Sequence, residues 1–228
     1  NATGVADHVD PQYHFWIKPG FSTPSWAKGA VFYQIYVDRF FNGDTSNDVE
    51  TDEYFYIGEG TEKVEDWNKY PAQMGVREFY GGDIAGVWQK LDYLQDLGVE
   101  VIYFNPIFVS PSNHKYDIQD YDYIDPHIGK IVKDEGELLK RSEQGNLMCD
   151  PEHPNKNASR YICRVTDKEN LEASNQFFAD FVEEAHKRGM KVILDGVFNH
   201  CGSFNKWLDR ECIYEDAPGS LLYRSSQK

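Results

Sequence analysis

With 228 residues, 40% of them hydrophobic and 15% aromatic, the chain holds enough apolar material for one sizeable core and is globular rather than disordered. Its 38 acidic and 23 basic residues give a formal net charge of -15 with no block of like charge, which argues against a nucleic-acid backbone or an anionic membrane as partner. A neutral substrate or a cation suits that balance better, and no apolar run approaches the roughly 20 residues of a membrane-spanning helix.

The first 28 residues read as an extension or linker. Because the chain starts at Asn1 rather than Met, an upstream segment is expected and localisation stays open. The first apolar β-type run, Ala30 to Val37, leads into Asp38-Arg39. A long polar connection over 41–83 follows. It carries Asn42-Gly-Asp44-Thr-Ser-Asn47-Asp48 and Gly81-Gly-Asp83, whose closely spaced oxygens suit a hard cation such as Ca2+. The same composition also describes an ordinary turn-rich loop.

Val87, Leu91, Leu94 and Leu97 then recur at helical spacing, with Gly98 as the stop, and predict an amphipathic helix of about three turns. Burying each of the four is worth roughly 1.5 to 3 kcal/mol. The second strand, Val99 to Phe104, runs into the polar stretch Asn105 to Asp117. Residues 127–173 form a second long polar connection. In it Cys149, His153 and Cys163 lie near one another without a nameable fourth metal ligand, and the four cysteines read as ordinary thiols. Phe177, Phe178, Phe181, Val182 and Ala185 mark another helix, closed by Lys187-Arg188-Gly189 and started either by a Thr166–Glu169 capping box or by Ser174. The third strand, Lys191 to Leu194, leads into Asp195-Gly-Val-Phe-Asn199-His200, and residues 203–228 look irregular.

Strands alternating with helices predict parallel βαβ units. The expected fold class is α/β: about three βα units from the N-terminal portion of a (β/α)8 barrel, with long polar loop insertions, since a whole barrel takes about 250 residues. Three such strands cannot close, so their edges are expected to need cover. A doubly wound sheet is the competing architecture, but no Gly-x-Gly-x-x-Gly loop opens either helix. In a parallel barrel the three polar clusters at the strand ends share one face. His200 there either meets a ligand or ties down a loop.

Asp195 to His200, preceded by Ala185-His-Lys-Arg-Gly189, resembles the first conserved region of the α-amylase superfamily, glycoside hydrolase family 13. Asn105-Pro-Ile-Phe, Ser110 to Asp117, Asp125-Pro126-His127 and His200-Cys-Gly202 are most similar to the neopullulanase, cyclomaltodextrinase and maltogenic amylase branch. The resemblance covers roughly 29–128 and 174–208, with 130–165 outside it. It implies the first three βα units of the catalytic barrel over 29–202 and the start of the loop domain after strand three over 203–228.

The resemblance also implies roles. Tyr116 becomes the aromatic platform under the sugar whose bond is cut, because a flat ring covers the apolar face of a pyranose. His114 and His200 hydrogen-bond that sugar. Asp195 holds an arginine from strand four, and Asn199 stands beside His200, where related enzymes place a further calcium ligand. A structural Ca2+ is expected on Asn42, Asp44, Asn47, Asp48, the Gly81 carbonyl and Asp83, which tips the loop's two readings towards metal. The substrate would be an α-glucan: starch, maltooligosaccharide, cyclodextrin or pullulan. Retaining members use two carboxylates about 5 to 5.5 Å apart, and in this superfamily they follow strands four and five. No Asp or Glu here is therefore assigned as catalytic, both being expected after Lys228, and the chain alone is expected to be inactive. A glucan transferase and a non-catalytic carbohydrate-binding protein are the alternatives.

Overall fold

The structure is a computed structural model that describes residues 19–73 and 75–214. The chain divides into two compact units, 1–30 and 31–228. In the first, the described residues form a single 3-10 turn at Ser25–Ala27.

In the second unit, β1 (Phe32–Ile35) precedes a long loop holding β2 (Phe55–Tyr56), β3 (Glu59–Gly60), β4 (Glu62–Lys63) and β5 (Glu78–Phe79). Then come α1 (Ile84–Gln89), α2 (Leu91–Asp96), β6 (Val101–Phe104), β7 (Phe108–Val109), β8 (Asp120–Ile124), α3 (Ser159–Thr166), α4 (Lys168–Lys187) and β9 (Lys191–Leu194). β1, β6 and β9 form a three-stranded parallel sheet in that order, with Phe32 opposite Val101 and Val101 opposite Lys191. The three strands read from the sequence are thus neighbours, and their polar C-terminal ends lie at one end of the sheet.

One apolar core lies between this sheet and its helices, around Ile35, Val87, Leu91, Leu94, Phe104 and Phe181. A second sits in the loop layer, around Tyr54, Phe79, Val109, Tyr161 and Phe204. The outer strands carry exposed apolar residues: Val31 and Phe32 beside one edge, Leu194 and Phe198 beside the other. No described helix is long and apolar enough to cross a membrane.

Three expectations need correction. The helix expected around Val87 to Leu97 is broken at Lys90, whose N–H turns back three residues to the Val87 carbonyl and tightens the turn. Leu97 is exposed, because the helix ends there: Gly98 takes φ of 81°, its N–H bonds the Gln95 carbonyl, and the Val99 N–H bonds that of Leu94. This closing pair sets Val99, not Leu97, against the core. The long C-terminal helix α4 starts at neither expected place. Asp167 caps it through the Glu169 N–H, Thr166 is the last residue of the separate helix α3, and the Ser174 hydroxyl bonds the Asn170 carbonyl inside α4. An aspartate binds N-terminal amides as well as a threonine does, and the α3 pattern hides inside a polar stretch.

Candidate functional site

The cation-loop residues converge around Asp83. This buried carboxylate caps α1 by accepting from the Gly86 N–H at 2.6 Å, and it also accepts from the backbone N–H groups of Gly43 and Asp44 and from Asn47 Nδ2. Burial pushes its pKa up to about 6 against the pull of those hydrogen bonds. Asn42 Nδ2 donates to Asp48 Oδ1 at 2.8 Å, and Lys63 Nζ lies 3.2 Å from Asp48 Oδ2. Gly81, at φ of 80°, runs so close that a Cβ there would sit 2.4 Å from both Asn42 Nδ2 and Asp48 Oδ1. Asp44 joins through its backbone, while its carboxylate is engaged by Ser46 and by Lys130 at 2.7 Å.

Two atoms decide whether a cation fits. Among the described residues, the buried side-chain oxygens or nitrogens without a hydrogen-bond partner are Asn42 Oδ1 and Asn47 Oδ1. A buried amide oxygen without a donor costs about 1 to 3 kcal/mol, and both belong to the ligand set read from the sequence. Oxygen donors of this kind are what Ca2+ takes. Among the described residues no three His, Cys, Asp or Glu side chains converge as a metal cluster, so the site's donor capacity rests on amide oxygens beside Asp48. Cys149, His153 and Cys163 do not gather: the His153 ring bonds the Arg210 carbonyl, and the Cys163 thiol faces that of Lys133.

At the strand ends, Tyr116 Oη donates to Asp195 Oδ2 at 3.1 Å, and Tyr103 Oη donates to the same oxygen at 3.2 Å. Asp195 Oδ1 accepts the Val197 N–H. The Tyr116–Asp195 bond joins the segment that follows β6 to the loop after β9, as their predicted common face requires. His114 Nδ1 accepts the Tyr116 N–H at 3.1 Å, which leaves the ring proton on Nε2, and its ring lies 5.9 Å from that of Tyr116. Burial lowers the His114 pKa, the nearby Asp117 opposing, so the ring is neutral at pH 7. His200 is exposed, and its Nδ1 receives Asn199 Nδ2 at 3.2 Å. Both histidines therefore present an Nε2 donor. The first strand end does not join this group directly: Asp38 is buried and accepts the N–H groups of Tyr80 and Gly81, bracing the cation loop, while Tyr36 Oη reaches Asn113.

Sequence reasoning missed a buried cluster of charges beneath His114 to Tyr116. Glu53, Asp125, Lys115, His127 and Arg164 are all buried and joined in one chain of charges. Arg164 Nη1 bonds Glu53 Oε2 at 2.8 Å and the Asp48 carbonyl, while Nε and Nη2 grip Asp134 as a fork. The other Glu53 oxygen lies 2.7 Å from His127 Nε2, and His127 Nδ1 lies 2.9 Å from Asp125 Oδ1. The remaining Asp125 oxygen binds Lys115 Nζ at 2.7 Å. Lys115 stands between His114 and Tyr116 at φ of 58°, a left-handed conformation that its buried ammonium holds. Burial would lower the His127 pKa, but Glu53 and Asp125 outweigh it and the net shift is upward. Both ring nitrogens face carboxylate oxygens, an arrangement that favours the imidazolium over the neutral ring. The available signal was Ala158, Tyr161 and Val165 at helical spacing around Arg164, which marks α3 inside the long polar connection.

A family model described as "Alpha amylase, catalytic domain" matches residues 34–149 and 173–223. The match runs further than the sequence resemblance did and leaves 150–172, with all of α3, uncovered. Neopullulanase 2 of Thermoactinomyces vulgaris is 40% identical over 182 residues, covering 80% of this chain and 21% of that protein. An amylopullulanase of Thermoanaerobacterium saccharolyticum is 35% identical over 212 residues, 86% of this chain and 13% of its own. Among solved structures, the type III pullulan hydrolase from Thermococcus kodakarensis superposes with a TM-score of 0.56 at 30% identity, over 87% of this chain and 28% of that one. The chain thus spans about a quarter or less of the curated relatives it matches.

Proposed function

The chain belongs to the alpha-amylase catalytic-domain family, and on that premise we propose that it forms the glucan-holding floor of an enzyme that hydrolyses α-glucosidic bonds with retention. The observation that carries this reading is the Tyr116–Asp195 hydrogen bond, which fixes the Tyr116 ring beside His114 and ties it to the strand end that leads into His200. The ring covers the apolar face of one glucose unit, and the Nε2–H groups of His114 and His200 donate to its hydroxyls. Asp195 Oδ1 keeps a lone pair for a cation delivered from elsewhere in the barrel.

Neither carboxylate of this floor is assigned the chemistry. Asp195 already accepts two tyrosine hydroxyls, and Asp117 accepts that of Tyr56. The nucleophile and the acid/base, about 5 to 5.5 Å apart in a retaining enzyme, are assigned to sequence outside these 228 residues, so the chain alone binds glucan without cutting it. The apolar residues exposed along β1 and β9 fit a sheet that continues into further barrel strands. Saturable binding of maltohexaose that is lost in Tyr116→Ala supports the floor; unchanged binding by that variant removes it.

The cation loop is proposed to hold one structural Ca2+ through Asn42 Oδ1, Asn47 Oδ1, Asp48, the Gly81 carbonyl, Asp83 and Asp44. Bound there, the ion would supply positive charge to an acidic pocket and fix the loop against α1. Terbium titration is expected to give saturable tyrosine- or tryptophan-sensitised luminescence that calcium displaces, with a rise in the thermal midpoint, and Asn47→Ala should abolish both. Luminescence that Asn47→Ala leaves intact would place any bound ion elsewhere.

A further inference from the structure

The candidate floor continues past His200 onto a second aromatic surface. Tyr121, on β8, donates from Oη to the carbonyls of His200 at 2.7 Å and Val197 at 3.1 Å. The ring of Trp207 stacks on Tyr121, centroids 5.9 Å apart and planes 13° from parallel. That contact occupies one face of the indole, and Trp207 is still 70% exposed. Large exposed aromatics that are held rigid are what sugar and protein recognition use, because they offer area without an ordering cost.

The rigidity comes from the backbone beneath. Asn205 is 1% exposed; its Oδ1 accepts the Trp207 N–H at 3.0 Å and its Nδ2 donates to the Ile118 carbonyl at 3.2 Å. The Lys206 N–H bonds the Gln119 carbonyl, and Lys206 Nζ spans the carboxylates of Asp120 and Asp122. Gly202 lets the loop lie this close, since a Cβ there would stand 2.3 Å from the Asp117 carbonyl oxygen. A packing tryptophan would bury both faces. Here a buried amide and an ion pair instead present one face to solvent, next to the loop that carries His200.

We propose that Trp207, backed by Tyr121, is a second pyranose platform that binds a glucose unit of the same α-glucan one or more residues away from the unit on Tyr116. The occupant is a neutral α-linked glucan: the exposed carboxylate of Asp122, on the strand that carries Tyr121, supplies an acceptor that sugar hydroxyls need, while its pairing with Lys206 offsets its charge. This inference rests on the reading of Tyr116 as the first platform, and the test separates the two. Maltohexaose is titrated into the parent chain, Trp207→Ala, Trp207→Phe and Tyr116→Ala, reading affinity by calorimetry and tryptophan emission in parallel. Trp207→Ala should bind about tenfold more weakly, as loss of a stacked aromatic contact gives, and should lose most of the emission change. Trp207→Phe should keep affinity to within a few-fold while losing that emission change, because a ring remains. Parent-like affinity in Trp207→Ala, or equal weakening in both Trp207 variants, overturns the platform. No binding by the parent overturns the floor itself and the platform with it, whereas weakening by Tyr116→Ala alone leaves the floor standing without Trp207.

Discussion

Arg164→Ala is expected to lower the unfolding free energy by about 3 to 5 kcal/mol, the usual cost of breaking one side of a buried ion pair. The Arg164 and Glu53 side chains are 1% and 0% exposed, and removing the guanidinium leaves Glu53 with His127 as its cationic partner and the Asp48 carbonyl without its donor. Asp134 loses its fork as well, so Arg164→Lys should recover only part, a single ammonium being unable to serve two oxygens in plane. The control is Arg160→Ala. Arg160 also binds Asp134, but both side chains are about 30% exposed, and the change should cost about 0 to 1 kcal/mol. Urea unfolding midpoints of the two variants against the parent check the contrast. Equal, small effects would mean that α3 merely lies on the surface of the loop layer.

The pH dependence of stability should show a maximum between about 4 and 6 when calcium is absent, and the same charges set both sides. Burial would raise the pKa of Asp125, yet Lys115 and His127 outweigh it and hold the carboxyl well below its ordinary value of 3.8. Glu53 is likewise lowered, from 4.5, by His127 and Arg164 acting against burial. A depressed carboxyl contributes stability that is present above its unfolded value and is lost as pH falls through the folded one, so the acid limb begins near 4 and steepens below it. His127, raised from 6.5, contributes in full below that value and loses its contribution as pH rises through the raised one, which produces the alkaline limb. Asp38 and Asp83 act in the opposite sense to the other carboxyls. Burial pushes both up to about 6, so their ionised forms destabilise the fold above 6 and are relieved between 6 and 3.8. Denaturant midpoints measured across this range, with His127→Gln flattening the alkaline side, test the assignment. A midpoint that keeps rising above pH 7 contradicts it.

The parts of the fold legible in the sequence were those set by local rules. Continuous apolar runs ending in polar residues identified β1, β6 and β9, and glycines at two helix ends, Gly98 and Gly189, take φ near 80° as a stop requires. The residues proposed to meet the sugar were legible as motifs, and the structure brings Tyr116 to Asp195 across 79 positions. The buried cluster was not legible, because its pairs are non-local: Arg164 meets Glu53 across 111 positions and His127 meets it across 74. Each of these residues sits in a polar stretch where a charge ordinarily faces solvent. Lys115 shows the difficulty best. Its side chain runs inward to Asp125 from a left-handed backbone, while its neighbours His114 and Tyr116 stay partly exposed. The segment that the family model leaves uncovered supplies Tyr161 and Arg164 to this arrangement, so a helix outside the match braces residues within it.

Proton NMR of maltohexaose mixed with the 228-residue chain tests the central claim most directly, since one spectrum reports both binding and bond cleavage. The expected spectrum has sugar resonances broadened in proportion to the chain added, sharp again in the presence of Tyr116→Ala, and reducing-end signals that stay constant with time. Sharp lines with the parent chain, or reducing-end signals that grow, would contradict a glucan-binding floor whose catalytic carboxylates lie elsewhere.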